Sequence, residues 1–158
     1  MLFRSGQYLY SGMDTNSANN SPNSNQVDHQ GFVIQPLTST TMFIAWKRYS
    51  NNSIYGVVAT NSSGTLSYGT VTLLYDGSAG GTASCAFFTG RSLSSTNIMM
   101  TFDTGAGAYA KGLTISGTSI SVSTATAAFG SPTSGNICIL GIAAMDSTNC
   151  LITYTTSN

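Results

Sequence analysis

Hydrophobic positions along this chain come in short bursts separated by hydroxyl-rich turns, and the bursts recur. Residues 37–46 (LTSTTMFIAW), 93–102 (LSSTNIMMTF) and 145–154 (MDSTNCLITY) share one pattern: an apolar residue, a Ser/Thr turn, then an apolar run ending on an aromatic ring. Trp46, Phe102 and Tyr154 fall at the same place in it, 56 and 52 residues apart. A second element interleaves with the first, as SGQYLY from Ser5, SGTLSY from Ser63 and SGTSIS from Ser116, its glycines 58 and 53 residues apart. Ser-Gly between alternating segments is a hairpin signal, because glycine takes the positive φ of a tight turn. Leu113-Thr114-Ile115 before it and Ile120-Ser121-Val122 after it alternate with the period of half-buried strands.

Two independent elements with nearly one period define a tandem repeat of about 50–56 residues. Each unit holds four predicted strands. The first covers Phe32 to Ile34, Cys85 to Phe88 and Ile137 to Ile142. The second covers Met42 to Trp46, Asn97 to Phe102 and Cys150 to Tyr154. The third covers Ile54 to Thr60 and Tyr109 to Ile115, and the fourth Leu66 to Tyr68 and Ser119 to Val122. Apolar stretches at Val71 to Tyr75 and Ala127 to Phe129 either extend the fourth strand or lead into the next unit. Residues 1–31 then read as the end of a preceding repeat plus an Asn/Ser-rich exposed loop, 32–84 and 85–135 as two repeat units, and 136–158 as the first hairpin of a further one. The fold class expected is all-β: four-stranded antiparallel repeats of β-propeller-like blades. Such blades are apolar on both faces and need stacked neighbours, so the chain reads as a fragment of a longer array.

The segment Leu113 to Val122, LTISGTSISV, resembles the strands of propeller-like repeats in phage tail and bacterial surface proteins. Ala143 to Thr148, AAMDST, is similar to the turn that opens those repeats. The likeness covers roughly residues 32–158 and departs in the first unit, where Pro36 enters the hairpin and Tyr49-Ser50-Asn51-Asn52 replaces the usual Asp-Gly turn. It implies a structural or host-attachment role on a virion or a cell surface. Its motifs are structural and bring no catalytic residue with them.

Composition narrows the choice of partner. Charged residues make up only 6% of the chain, against roughly 25% in an average soluble domain, so Ser, Thr, Asn and Gly must wet the surface. Every acidic residue is an aspartate, and scarce Lys with plentiful Thr argues against helix. The five cations are scattered and the net charge is zero, which excludes the basic stripe a nucleic acid needs. The longest apolar run, Ile137 to Met145, is too short to span a bilayer. No apolar leader opens the chain, and Leu2-Phe3-Arg4-Ser5 back-translates to the end of a common sequencing adaptor. The expectation is an environmental (metagenomic) fragment cut at both ends.

Candidate chemistry is thin. Cys85, Cys138 and Cys150 lie in or beside apolar runs without CxxC spacing, so they read as inert core thiols and no metal site is expected. His29 beside Asp28 reads as a surface loop residue, since neighbours in an extended chain point apart. Asp76, Asp103 and Asp146 adjoin turns and are expected to sit near the ordinary carboxylate pKa of about 3.9. Lys47, Arg48, Tyr49 and Tyr55, with Trp46, make the one aromatic and basic cluster, a weak candidate ligand face. The alternative for these residues is that Trp46 is core and Lys47-Arg48 close a hairpin. The reading is therefore a non-enzymatic structural or host/surface-attachment module of a virion tail fibre or secreted surface protein, without cofactor. Its partners would be neighbouring repeats or further copies of the chain. A glycan-binding propeller that takes a cell-surface sugar is the alternative, and a glycosidase fragment a weaker third.

Overall fold

The computed structural model describes residues 27–48, 52–77, 88–103, 108–129 and 137–156. They are all-β, with antiparallel pairing throughout and no helix among them. The first sheet holds β1 (Val27–Pro36), β2 (Thr41–Arg48), β3 (Ser53–Ser62) and β4 (Thr65–Tyr68) in that order, with β5 (Thr72–Tyr75) also paired to β3. The second holds β6 (Phe88–Ser92), β7 (Asn97–Asp103), β8 (Ala108–Ser116) and β9 (Ser119–Phe129) in sequence order. A hairpin of β10 (Ile137–Ala144) and β11 (Cys150–Thr156) follows.

The registers of the three sheets correspond. Phe32↔Trp46 and Ile34↔Ile44 in the first become Phe88↔Phe102 and Gly90↔Met100 in the second, each residue 56 places on. Gly90↔Met100 in turn matches Ile142↔Ile152 in the hairpin, 52 places on. Between strands three and four the offset is 54: Ser62↔Thr65, Ala59↔Tyr68 and Ile54↔Tyr75 match Ser116↔Ser119, Leu113↔Val122 and Ala108↔Phe129. The offset falls by two because six residues, among them the rung Arg48↔Ser53, separate Lys47 from Ile54, whereas four separate Asp103 from Ala108. The apolar stretches after strand four therefore extend it. In the second sheet β9 runs unbroken through a bulge opposite Lys111 and Leu113, while in the first the equivalent strand is split into β4 and β5. At that split, Gly69 lies so close to the second sheet that a Cβ would collide with the Thr118 carbonyl oxygen.

Local chemistry explains the turns. Leu37 N–H and Thr38 N–H donate to Thr41 O, Leu93 and Ser94 to Asn97 O, and Met145 and Asp146 to Asn149 O. In each turn the second residue's side chain accepts from the two amides that close it. Thr38 Oγ1 takes those of Thr40 and Thr41, Ser94 Oγ those of Thr96 and Asn97, and Asp146 Oδ1 those of Thr148 and Asn149. Short side chains with an acceptor oxygen suit this position because they satisfy amides that the ladder leaves free. The opposite hairpin tips are two residues long. Ser63 (φ 50°) and Gly64 (φ 88°) are both left-handed, while at the other tip Gly117 (φ 59°) comes first, so the two glycines stand one ladder place apart.

Strand alternation gives each sheet a front and a back. The front of the first sheet carries Phe32, Ile34, Met42, Ile44, Trp46, Val57 and Ala59; its back carries Val33, Phe43, Ala45, Ile54 and Val58. That back packs on the front of the second sheet, joining Phe43, Ile54 and Leu74 to Phe88, Ile98, Met100, Phe102 and Leu113 in one core. Val33 lies against Gly90, and the Tyr75 ring meets Phe102 at 4.5 Å between centroids. The hairpin comes next in the stack. β10 lies against β6 and β7, and Asn97 Nδ2 donates to Ser147 O at 2.9 Å.

Two expectations need correction. The Asn/Ser-rich stretch was expected to stay a loop through residue 30, but β1 starts at Val27, which places Asp28 and His29 in a strand. An edge strand is held by main-chain bonds to one neighbour, here irregularly from Val27↔Arg48 to Phe32↔Trp46, so polar side chains do not prevent it. The same edge position lets Pro36 close β1 opposite Met42 despite its missing N–H. The second concerns strand one of the second unit, expected over Cys85 to Phe88: the described strand is Phe88–Ser92, because its ladder with β7 runs from Phe88↔Phe102 to Ser92↔Ile98.

Candidate functional site

The aromatic and basic cluster does not assemble on one face. Trp46 pairs with Tyr55 across β2 and β3, their rings stacked at 6.2 Å on the front of the first sheet. Trp46 is buried and Tyr55 half-buried beside Met42, Ile44 and Val57. Phe102 and Tyr109 repeat this arrangement on the second sheet, stacked at 5.7 Å, so the pair is a packing device present in both sheets. Lys47 falls on the back, only 5% exposed, while Arg48 shares the front with Tyr55 and is half-buried. Tyr49 lies outside the described residues.

The aspartates leave the expected range in opposite directions. Asp103 ends β7 at 5% exposure, and desolvation raises its pKa. It was expected in a solvated turn; the ladder carries it one residue further, to the rung with Ala108. Asp146 is exposed, yet its pKa is lowered to about 2. The Asn149 side chain contributes most, followed by the amides of Thr148 and Asn149 and then the Thr148 hydroxyl. All four donors favour the ionised form. Asp76 Oδ1 accepts from Ser53 Oγ at 3.4 Å, and Gly77 N–H donates to that same hydroxyl at 3.0 Å.

The remaining candidates hold little chemistry. Cys150 was expected in the core; it is a free, half-buried thiol whose pKa burial raises. Cys85 and the side chains of Cys138 and His29 lie outside the described residues. Among the described residues, no three His, Cys, Asp or Glu side chains come together.

Sequence reasoning missed a groove of about 330 Å³ between the back of the second sheet and the β10–β11 turn. Met99, Gly112, Thr114, Ser121 and Ser123 form its floor, and Ser147 with Thr148 its rim. Among the described residues no carboxylate, imidazole or thiol lines it; what they offer is hydroxyls and shape. Thr101 shares that back face, fully buried, and its Oγ1 makes no hydrogen bond. No protein-family model, curated protein or solved structure matches the chain.

Proposed function

We propose that this chain is a non-catalytic structural or host/surface-attachment module, carried on a virion tail fibre or on a secreted or cell-surface protein. In this reading its sheets are tandem β-propeller-like blades of a longer array. The observation that carries it is the correspondence of register between sheets that pack back to front. A scaffold of this kind uses its side chains to hold neighbours, and the aromatic pairs Trp46–Tyr55 and Phe102–Tyr109 fit that use. The hydroxyl-rich turns left at the margin suit a sparsely charged outer surface. Neighbouring blades or further copies are the natural partners, and a cell-surface glycan is the alternative ligand.

The test sets the chain against both competing activities. On a glycan array we expect no binding that Tyr49→Ala or Tyr55→Ala abolishes; such binding would establish the lectin alternative. With oligosaccharides we expect no hydrolysis, and turnover lost on Asp103→Asn would overturn the non-catalytic reading. The parent contig should encode further Ser/Thr-turn repeats beside virion or surface-protein genes.

A further inference from the structure

We propose that the outer edge of β11, with the groove beside it, is a seat for strands three and four of a further repeat unit, which add to β11 as a hairpin. This rests on the reading of the sheets as blades and names the strand, the place and the chemistry of the contact. In the turns before strand two, Thr40 O and Thr96 O accept from Asn61 N–H and Ile115 N–H of strand three, both at 2.7 Å. Thr148 holds the same place in the turn before β11, by the same steps of 56 and 52 residues. It lines the groove, and among the described residues no backbone amide donates to its carbonyl. The rest of that edge is open in the same way. Strand two is paired by β3 in the first sheet and by β8 in the second, while β11 pairs only with β10 among the described residues.

An unpaired edge is a template for another strand, and folded proteins usually block it with a charge, a proline or a bulge. β11 has none of these: its sequence is CLITYTT, and the bulge of its ladder falls on β10. The edge strand β1, by contrast, carries Asp28 and Pro36, and β6 carries Arg91. The first junction holds the occupant of the equivalent space. Met99 and Gly112, on the groove floor, stand at the ladder places of Phe43 and Val58. Phe43 and Val58 are fully buried in one cluster with Leu113, Ile115 and Ile120, which strands three and four of the next sheet supply. Met99 and Gly112 are only half-buried, and no strand three or four lies over them among the described residues. Thr114, Ser121 and Ser123 extend a floor of small, uncharged side chains, so the incoming hairpin must face it without a charge. The β8–β9 hairpin, with Leu113, Ile115, Ile120 and Val122 on one face, has that character.

Fluorescence anisotropy of a labelled peptide of residues 108–129, titrated with the full chain, tests this directly. Saturable one-to-one binding is expected. The same peptide N-methylated at the Ile115 amide should not bind, because that amide is the one that would reach Thr148 O. In the full chain, Thr114→Arg and Ser121→Arg should each weaken binding by at least about tenfold, since each puts a charge into the seat. Thr65→Arg, on the first sheet, should leave binding unchanged. All three positions are exposed, so each variant should keep the circular dichroism of the parent. Absence of binding, binding indifferent to the N-methyl group, or binding that neither groove variant weakens would overturn the proposal. So would an oligosaccharide whose binding Ser121→Arg abolishes, since the groove would then belong to a sugar. If the peptide does not bind but the parent contig encodes further Ser/Thr-turn repeats, the blade reading stands and only this seat fails.

Discussion

The two junctions inside the stack share a geometry and differ in chemistry. Between the first and second sheets, Val33, Phe43 and Ile54 meet Phe88, Met100 and Phe102, and nearly every side chain involved is buried. Between the second sheet and the β10–β11 hairpin, the second sheet offers Asn97, Thr101 and Asp103 on its back, and a groove stays open over Gly112. Ala45 and Thr101 hold one ladder place, as do Lys47 and Asp103. Identical register therefore does not fix the strength of a junction; the residues that occupy it do. The hairpin junction should be the first to open.

The sharpest way to break this comparison is Phe102→Ala. It removes a ring buried to 1% exposure from the apolar junction and should cost about 3–5 kcal/mol in urea unfolding. A loss no larger than that of an exposed residue would show that the two junctions are equivalent. Next comes a pair of glycines. A Cβ at Gly56 would lie 2.8 Å from Leu74 Cδ1 and 3.0 Å from Phe43 Cε2, so Gly56→Ala should destabilise by about 1–3 kcal/mol. At Gly112 the nearest atom would be Ser123 Cβ at 3.9 Å, so Gly112→Ala should be neutral or gain about 0.5 kcal/mol. Equal melting temperatures for the two variants would contradict the difference in packing.

Thr101→Val keeps the shape of the side chain and removes the buried hydroxyl that finds no partner. It should stabilise the protein by about 1 kcal/mol by calorimetry. The smallest effects are those of pH. Asp146 has a folded pKa near 2, below its unfolded value of 3.8, so its contribution is present above pH 3.8 and lost as pH falls toward 2. Amide exchange at Thr148 and Asn149 should accelerate over that window. Asp103 has a raised pKa, so its contribution is complete below pH 3.8 and declines as pH rises through the folded value. Asp103→Asn should raise the melting temperature at neutral pH and have no such effect below pH 3.8.

Much of the fold was legible in the chain. Ser/Thr turns before apolar runs located β2, β7 and β11, and the Ser-Gly pairs located both hairpin tips, because these signals act within a few residues. Which face each strand turns inward was not legible: Lys47 and Asp103 follow apolar runs and look like solvated hairpin ends. Their burial is set by the neighbouring sheet and by where the ladder stops. The same holds for Asp146, whose pKa depends on four donors arranged by one turn, and for the groove, which exists only once the hairpin is placed.

The two-residue difference between the ends of the β2–β3 and β7–β8 hairpins has a consequence for how such a chain can change over generations. A residue inserted between the last rungs lengthens the connection and leaves the register beyond it unchanged, and two residues can instead add a rung, again with all the faces in place. The first and second sheets differ there by two residues, and beyond that point their registers agree again down to Ile54↔Tyr75 and Ala108↔Phe129. Length at that end of the molecule can therefore drift without disturbing the ladder. Foreign peptides grafted between Arg48 and Ser53 should be tolerated whatever their residue count, with circular dichroism and melting temperature close to the parent's.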